Sequence, residues 1–443
     1  MGAAGLLVGC AGAGSSVTQP ATTLPGTVQR APVVGSAGRQ THSGTRRTLS
    51  VATCSGTGTG AFLGGAGGNG GQGDNPNVAG GQFAVVGGGS GNQACDAWSA
   101  ITGGYDNAVS GSGEDGFVGA GEGNVVTGTD NDSAVIAGNG GTVSSYESTV
   151  VGGTSNSVSA PDASIGGGGL NVLSGNGQFG AIAGGSQNKL SGEYGFIGAG
   201  TNNTVSGEGG YVAAGGYNSV TGLGAVIDGG FNSSAAGTFA TIPGGYVNSA
   251  AGTYSFAAGA RASAAQTGTF VWSDGSDGDT ILSSAHAYQF LARASGGVTF
   301  WTNAASTVGA TLAAGSGTWA SASDRNLKTD VARIDDAAVL DKVATLPIER
   351  WSYKSERGVH HLGPMAQDFY AAFKVGADDK HITSIDEDGV ALAAIKALHA
   401  RVAALDADNA GLRAASVVQS SKIATMQAQL ARLSARIAGL QVR

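Results

Sequence analysis

Charge is scarce in this sequence. Asp, Glu, Lys and Arg make up only 12% of its 443 residues, where about 25% is usual for a soluble protein. Basic residues almost vanish from the middle of the chain, where only Lys189 and Arg261 lie between residues 80 and 262. A nucleic-acid footprint needs a clustered basic face, so that partner is excluded for the body. Long apolar runs are also missing. None approaches the roughly 20 residues of a membrane-spanning helix, which excludes an integral helical membrane protein. What is abundant is glycine, with 80 of the 443 residues against a usual share of about 7%. The glycines follow no G-X-Y period, so the chain is not collagen-like. A hydrophobic content of 41% is too high for a purely disordered chain.

The charge divides the chain in two. Residues 1–322 hold 7 Lys+Arg and 16 Asp+Glu, whereas the much shorter stretch 323–443 holds 16 and 15. A Gly-rich, weakly acidic body is followed by an ordinary charged tail. Cysteine is rare, at Cys10, Cys54 and Cys95. Leu7-Val8-Gly9-Cys10 resembles the end of a bacterial lipoprotein signal, which implies export and an acyl anchor on Cys10 over residues 1–10. The stretch departs from that pattern in having no basic n-region and only nine residues before Cys10. An upstream start and a chance match both remain open. Cys54 and Cys95 can pair in an oxidising compartment. Residues 11–71, rich in Ser, Thr, Gly, Pro and Ala without apolar period, read as a linker.

From residue 72 to 263 the chain repeats itself, as in GGYDNAVSG, IAGGSQNKLSG and IGAGTNNTVSG. Anchored on asparagine, the units fall at Asn77, Asn92, Asn107, Asn124, Asn156, Asn171, Asn188, Asn203, Asn218, Asn232 and Asn248, with Gly141 filling the slot after Asn124. About twelve units of 14–17 residues result. A period this short cannot hold two helices and fits a β-solenoid coil of short strands and tight turns. Val or Ile alternating with small residues suits a narrow interior, while the paired glycines permit positive φ at corners. Coils about 4.8 Å apart give a rod of roughly 60 Å. The G-G-x-x-N-x-V-x-G unit resembles the head of YadA-type trimeric adhesins. That resemblance implies a left-handed parallel β-roll, a homotrimer and a surface-binding role toward a glycan or protein.

Residues 264–322 break the repeat. Their alternation of apolar and polar residues, with turns at Asp274-Gly275 and Gly296-Gly297, reads as a β-rich neck of antiparallel or interchain strands. Phe270, Trp272, Phe290, Phe300 and Trp301 are expected to pack its core, with a sugar-stacking platform as the alternative. Glycoside hydrolysis needs two carboxylates about 5–10 Å apart. Glu114, Asp115, Glu122, Asp130 and Asp132 sit beside Gly and Asn in turns, and are read as solvated loop charges. The G-G-x-G-x-D calcium pattern does not recur.

Residue 323 opens a different sequence: SDRNLKTDVARID, LPIERWSYK, HHLGPMAQDFYAAF and ITSIDEDGVALAAIKAL. Over residues 321–400 this order of motifs resembles the C-terminal intramolecular chaperone, or auto-processing, domain of phage endosialidase tailspikes and related fibres. The resemblance implies an α+β chaperone domain over 323–394. It also implies Ser323 as nucleophile and Lys328 as general base, with cleavage of the Ala322–Ser323 bond. The residue types suit that chemistry, since a serine hydroxyl needs a base. A lysine serves as one only where burial depresses its pKa. His361 is a further candidate, polarising the scissile carbonyl or orienting the lysine. Gln367 and Asp368 read as a turn and helix start. Adjacent His360 and His361 lack metal-ligand spacing, and no cysteine lies nearby, so neither zinc nor a cofactor is expected.

The last stretch, 395–443, carries a heptad. Positions a are Ile395, Val402, Asn409, Ser416, Ile423, Leu430 and Ile437; positions d are Leu398, Leu405, Leu412, Gln419, Met426, Leu433 and Leu440. This predicts a coiled coil, trimeric by analogy with the body. The sequence as a whole predicts a mainly β, homotrimeric surface fibre or adhesin, possessing a removable chaperone and located at the cell surface or outer membrane. A phage tail fibre or tailspike with a receptor-binding or glycan-degrading body is the alternative.

Overall fold

The computed structural model describes residues 54, 56–65, 76–128 and 132–440. Cys10 and Asp130 therefore lie outside the described residues. The chain divides into two compact units, one ending at Gly296 and the other starting at Gly297.

The first unit is a parallel β-solenoid of about 13 turns. Each coil supplies one two-residue strand to each of two parallel ladders. Ala181-Ile182 is a typical strand of the first ladder, pairing in register with Phe196-Ile197 of the next coil. Lys189-Leu190 is typical of the second and pairs with Thr204-Val205. In an extended dipeptide one side chain points in and the other out. From Val86 to Ile242 the inward residue of the first ladder is Val or Ile, and from Ala79 to Ala264 that of the second is Val, Leu or Ala, all buried. The core is thus a file one side chain wide from each ladder. That width explains why the sequence alternates one branched apolar residue with small or polar ones.

So narrow a core leaves backbone groups inside it, and the repeated asparagine satisfies them. Asn188 is fully buried. Its Oδ1 accepts from the N–H of Asn203 at 3.0 Å, while its Nδ2 donates to Gly184 O at 3.1 Å and Gly200 O at 3.0 Å. Equivalent bonds link Asn92, Asn107, Asn124, Asn171, Asn203 and Asn218 to their neighbours. The second glycine of each motif is required by this arrangement. At Gly185 (φ +91°) a Cβ would lie 2.3 Å from Gly200 O and 2.6 Å from the Asn188 amide. Gly141 donates its N–H to Asn124 Oδ1 at 2.9 Å, but has no amide to offer the next coil.

The structure corrects one anchor. Asn232 does not enter the ladder: it is an exposed corner residue at φ 54°. Ser233 takes the slot, donating its N–H to Asn218 Oδ1 at 3.1 Å and accepting from Asn248 N–H at 3.3 Å. With Ser233 as anchor both flanking steps become 15 residues. Asp115 and Asp132 also hold left-handed corners, at φ 61° and 64°. Glu122 accepts from Asn139 on the next coil.

The first half of the neck differs from expectation in being parallel, while its second half, from Gly297 to Ser321, is antiparallel as expected. Phe256–Ala260, Phe270–Ser273 and Phe290–Arg293 continue the first ladder as parallel strands, so the stack outlasts the sequence repeat. Nor do the aromatics fill a core, because Ala257 and Val271 occupy the interior slots. Phe256, Phe270 and Phe290 sit outward, stacked ring on ring at 4.6 and 4.8 Å, and Phe290 is 70% exposed. Cys54 and Cys95 are joined by a disulfide that spans 41 residues and ties the first described coil to the stack.

The second unit begins with an antiparallel sheet of Gly297–Trp301, Gly309–Ala313 and Trp319–Ser321. Phe300 and Trp301 lie here and are exposed; Phe300 leans on Trp319. Helix α1 (Asp336–Thr345), a hairpin of Glu349–Trp351 with His361–Gly363, helix α2 (Ala366–Phe373) and helix α3 (Ser384–Leu440) follow. Asp335 caps α1 through its carboxylate, and α1 packs along α3.

Two outcomes are expected. Asn188→Ala leaves Asn203 N–H and Gly184 O without a partner, while Gly200 O keeps the Ser186 N–H, and lowers unfolding free energy by roughly 2–3 kcal/mol, whereas Asn232→Gly changes it by less than about 1 kcal/mol, both read from urea titration. Reducing the disulfide removes a constraint worth roughly 4 kcal/mol for a loop of this length. Hydrogen exchange then rises in residues 56–65 and 76–94 and stays unchanged in the later coils.

Candidate functional site

The sequence SDRNLK folds into a single tight turn. Upstream, the antiparallel sheet holds the chain as far as Ala322, whose N–H donates to Gly309 O at 3.1 Å. Asp324 then caps a one-turn 3-10 helix over Arg325–Leu327. Its Oδ1 accepts from the Asn326 N–H at 2.9 Å and from the Asn326 side chain at 3.1 Å. Asp is a strong capping residue because its short carboxylate reaches a free N–H two positions on. The N–H groups of Leu327 and Lys328 close on Asp324 O and Arg325 O at 3.1 and 3.2 Å. This compact turn folds Lys328 back on its own start, and Lys328 Nζ donates to Ser323 Oγ at 2.7 Å.

Ser323 and Lys328, five residues apart, are therefore in direct contact, with the Ala322–Ser323 peptide bond beside them. A neutral amine at that distance can take the hydroxyl proton, whereas an ammonium can only donate. Both side chains are exposed in the single chain. Burial is what lowers a lysine pKa toward the neutral form, so a surface that covers this turn would change what the pair can do. The importance of Asp324 and Asn326 was missed in the sequence, although an Asx residue opening a short turn was the available signal.

His361 is not brought to this pair. Its Nε2 lies 3.1 Å from Glu356 Oε2, and its ring tilts over Trp351 with centroids 4.7 Å apart. No hydrogen bond joins it to Ser323 or Lys328 among the described residues. His360 Nδ1 instead lies 3.0 Å from Ser352 Oγ. Gln367 and Asp368 fall in the first turn of α2, as the sequence implies. Among the described residues no group of three or more His, Cys, Asp or Glu is placed to hold a metal ion. No described helix is long and apolar enough to cross a membrane.

The carboxylates of the solenoid do not form a cleft. Asp132, Glu147 and Asp162 occupy the same corner on successive coils. Hydrogen bonding to Asp162 and its negative charge push the Glu147 carboxyl above the usual range, with Asp132 adding to the effect. These groups are column neighbours on an open corner.

Residues 323–375 match the family model for the chaperone of endosialidase (Peptidase_S74), so the match starts at Ser323 itself. No curated protein matches the chain. The similarity assigns a chaperone domain to the segment from the tight turn through α2. Inside that segment Phe369 is the buried large side chain, wedged against Phe373. Phe369→Ala is expected to cost about 3–5 kcal/mol. In calorimetry it lowers a transition belonging to the second unit and leaves the solenoid transition in place.

Proposed function

We propose that this chain is the subunit of a homotrimeric surface fibre with a YadA-like solenoid head, whose C-terminal chaperone domain drives assembly and then leaves by self-cleavage between Ala322 and Ser323. The contact of Lys328 Nζ with Ser323 Oγ at 2.7 Å, placed where the chaperone match begins, carries this reading. Lys328 takes the Ser323 proton and Oγ attacks the Ala322 carbonyl carbon. The N-to-O acyl shift breaks the C–N bond, the released amine takes the proton, and water hydrolyses the ester. Released chaperone and fibre body then separate, and the reaction occurs once per chain.

Association through the long helix is supported by its exposed seam, and the number three comes from the YadA-like body. Ile395, Leu398, Val402, Leu405, Ile423 and Leu430 are all exposed on α3, although their heptad spacing makes them one seam. The buried residues of this helix, Ala393, Ala394 and Ala397, belong to its first turns instead. Apolar a and d positions are stable only when a partner helix covers them. A zipper at the C-terminus also holds three chains together before the slow, non-local β pairs form. The fibre stands on a cell surface, held by an acyl group on Cys10, with a surface glycan or protein as its ligand.

A phage tail fibre is the second reading, favoured by the endosialidase-chaperone similarity itself. It uses the same parts at a different location.

Denaturing mass analysis of the expressed chain tests the cleavage. The wild type yields two species that meet at Ala322/Ser323, and Ser323→Ala yields only intact chain. Lys328→Arg keeps the positive charge but does not deprotonate, so it too stays intact. Release of the tail from the Ser323→Ala protein would overturn the assignment.

A further inference from the structure

One corner column of the solenoid carries bulky residues in the left-handed conformation: Phe179, Tyr194, Phe239 and Tyr254, at φ 54–57°. The left-handed backbone belongs to this corner on every coil, where Asp132, Glu147 and Asp162 also adopt it, and here the corner projects aromatic rings. The rings stack along the column, Phe179 on Tyr194 at 5.2 Å and Phe239 on Tyr254 at 5.7 Å. Each ring leans toward the preceding coil. This is plain at Phe239, whose ring would lie 2.6 Å from a Cβ on Gly224.

Between the two stacks the column holds only glycine. Gly209 and Gly224 take the corner positions at φ +60° and +59°. Phe239 covers Gly224, but a Cβ on Gly209 would meet nothing closer than the Gly224 Cα at 3.9 Å. The outcome is a notch floored by Gly209. One wall is the face of Tyr194 turned away from Phe179, and the other is the Phe239 ring. Three coil steps separate the two rings, about 14 Å, which admits a sugar ring in van der Waals contact with Tyr194 at about 3.5–4 Å without touching Phe239. Both rings are solvent-accessible, Tyr194 at 57% and Phe239 at 50%.

The notch also has a charge. Glu193 and Glu208 precede Tyr194 and Gly209 in the chain, and their backbone carbonyls accept from Gly209 and Gly224 N–H at 2.8 Å. The charge of Glu193, some burial, a hydrogen bond to Glu193 and the charge of Glu208 together push the Tyr194 hydroxyl upward, so both carboxylates act on the tyrosine. No Lys or Arg lies between residues 190 and 260 to neutralise them.

We propose that this notch binds a pyranose ring carrying an amino group. The apolar face of the ring stacks on Tyr194, and the ammonium faces Glu193 and Glu208. An aromatic face attracts both the C–H surface of a sugar and a neighbouring cation. The two carboxylates select an amine over a neutral or acidic substituent. This deepens the reading of the body as a glycan-binding fibre and rests on it for the class of ligand, but one chain builds the whole notch.

The test is titration of the full chain with a glucosamine hexasaccharide and with its N-acetylated counterpart, alongside the native mass of the same sample. Saturable binding of the glucosamine oligomer is expected, at least tenfold tighter than the N-acetylated one. Tyr194→Ala weakens it tenfold or more, Tyr194→Phe retains it, and the Glu193→Gln/Glu208→Gln double variant removes the preference for the amine. Circular dichroism of each variant confirms an unchanged fold. Absence of saturable binding, equal binding of the two oligomers, or wild-type affinity in Tyr194→Ala would overturn the proposal. Binding by a monomer would uphold the notch while overturning the trimer.

Discussion

A coil of 15 or 17 residues encloses too little volume for an ordinary hydrophobic core, and backbone groups inevitably end up inside. The buried asparagine ladder is what makes this geometry affordable. Each side chain satisfies one N–H and two carbonyls in three different places. A buried amide or carbonyl left without a partner costs about 1–3 kcal/mol, and the deficit would recur on every coil. The ladder in turn dictates the rest of the motif. Glycine is required where the carbonyl of the next coil presses in, a left-handed residue precedes each asparagine, and one branched apolar side chain per strand fills what remains.

Stacked identical corners create columns, and the columns are where the surface acquires character. One corner passes from Asp132, Glu147 and Asp162 to Phe179 and Tyr194, then to two glycines, then to aromatics again. Like residues in such a column either repel, as the pair Glu147 and Asp162 does, or stack, as the rings do. The backbone is indifferent to this choice. A solenoid can therefore change its surface coil by coil without altering its core.

Much of this was legible in the sequence. Recurrence of G-G-x-x-N identified coils, and the asparagine anchors marked nearly every rung. The failure at Asn232 is instructive, because two Asx-like residues sit side by side and only the spacing tells them apart. Asn232 gives steps of 14 and 16 residues, whereas Ser233 gives 15 and 15. The parallel strands that open the neck are not legible, because the repeat decays in sequence before the ladder ends. Phe270 and Phe290 align by backbone register, and no motif records register. At the candidate site the serine and lysine were legible by motif. Their contact depends on how tightly Asp324 and Asn326 close the turn, and the placement of His361 beside Glu356 depends on a hairpin whose partners are ten residues apart.

In the proposed function the exposed apolar helix seam gathers the chains and the exposed serine–lysine turn releases the gathering segment. Native mass measurement of the freshly purified wild-type chain tests it most directly. A complex of three bodies ending at Ala322, together with released fragments beginning at Ser323, is the expected result. An intact, monomeric 443-residue chain would contradict it.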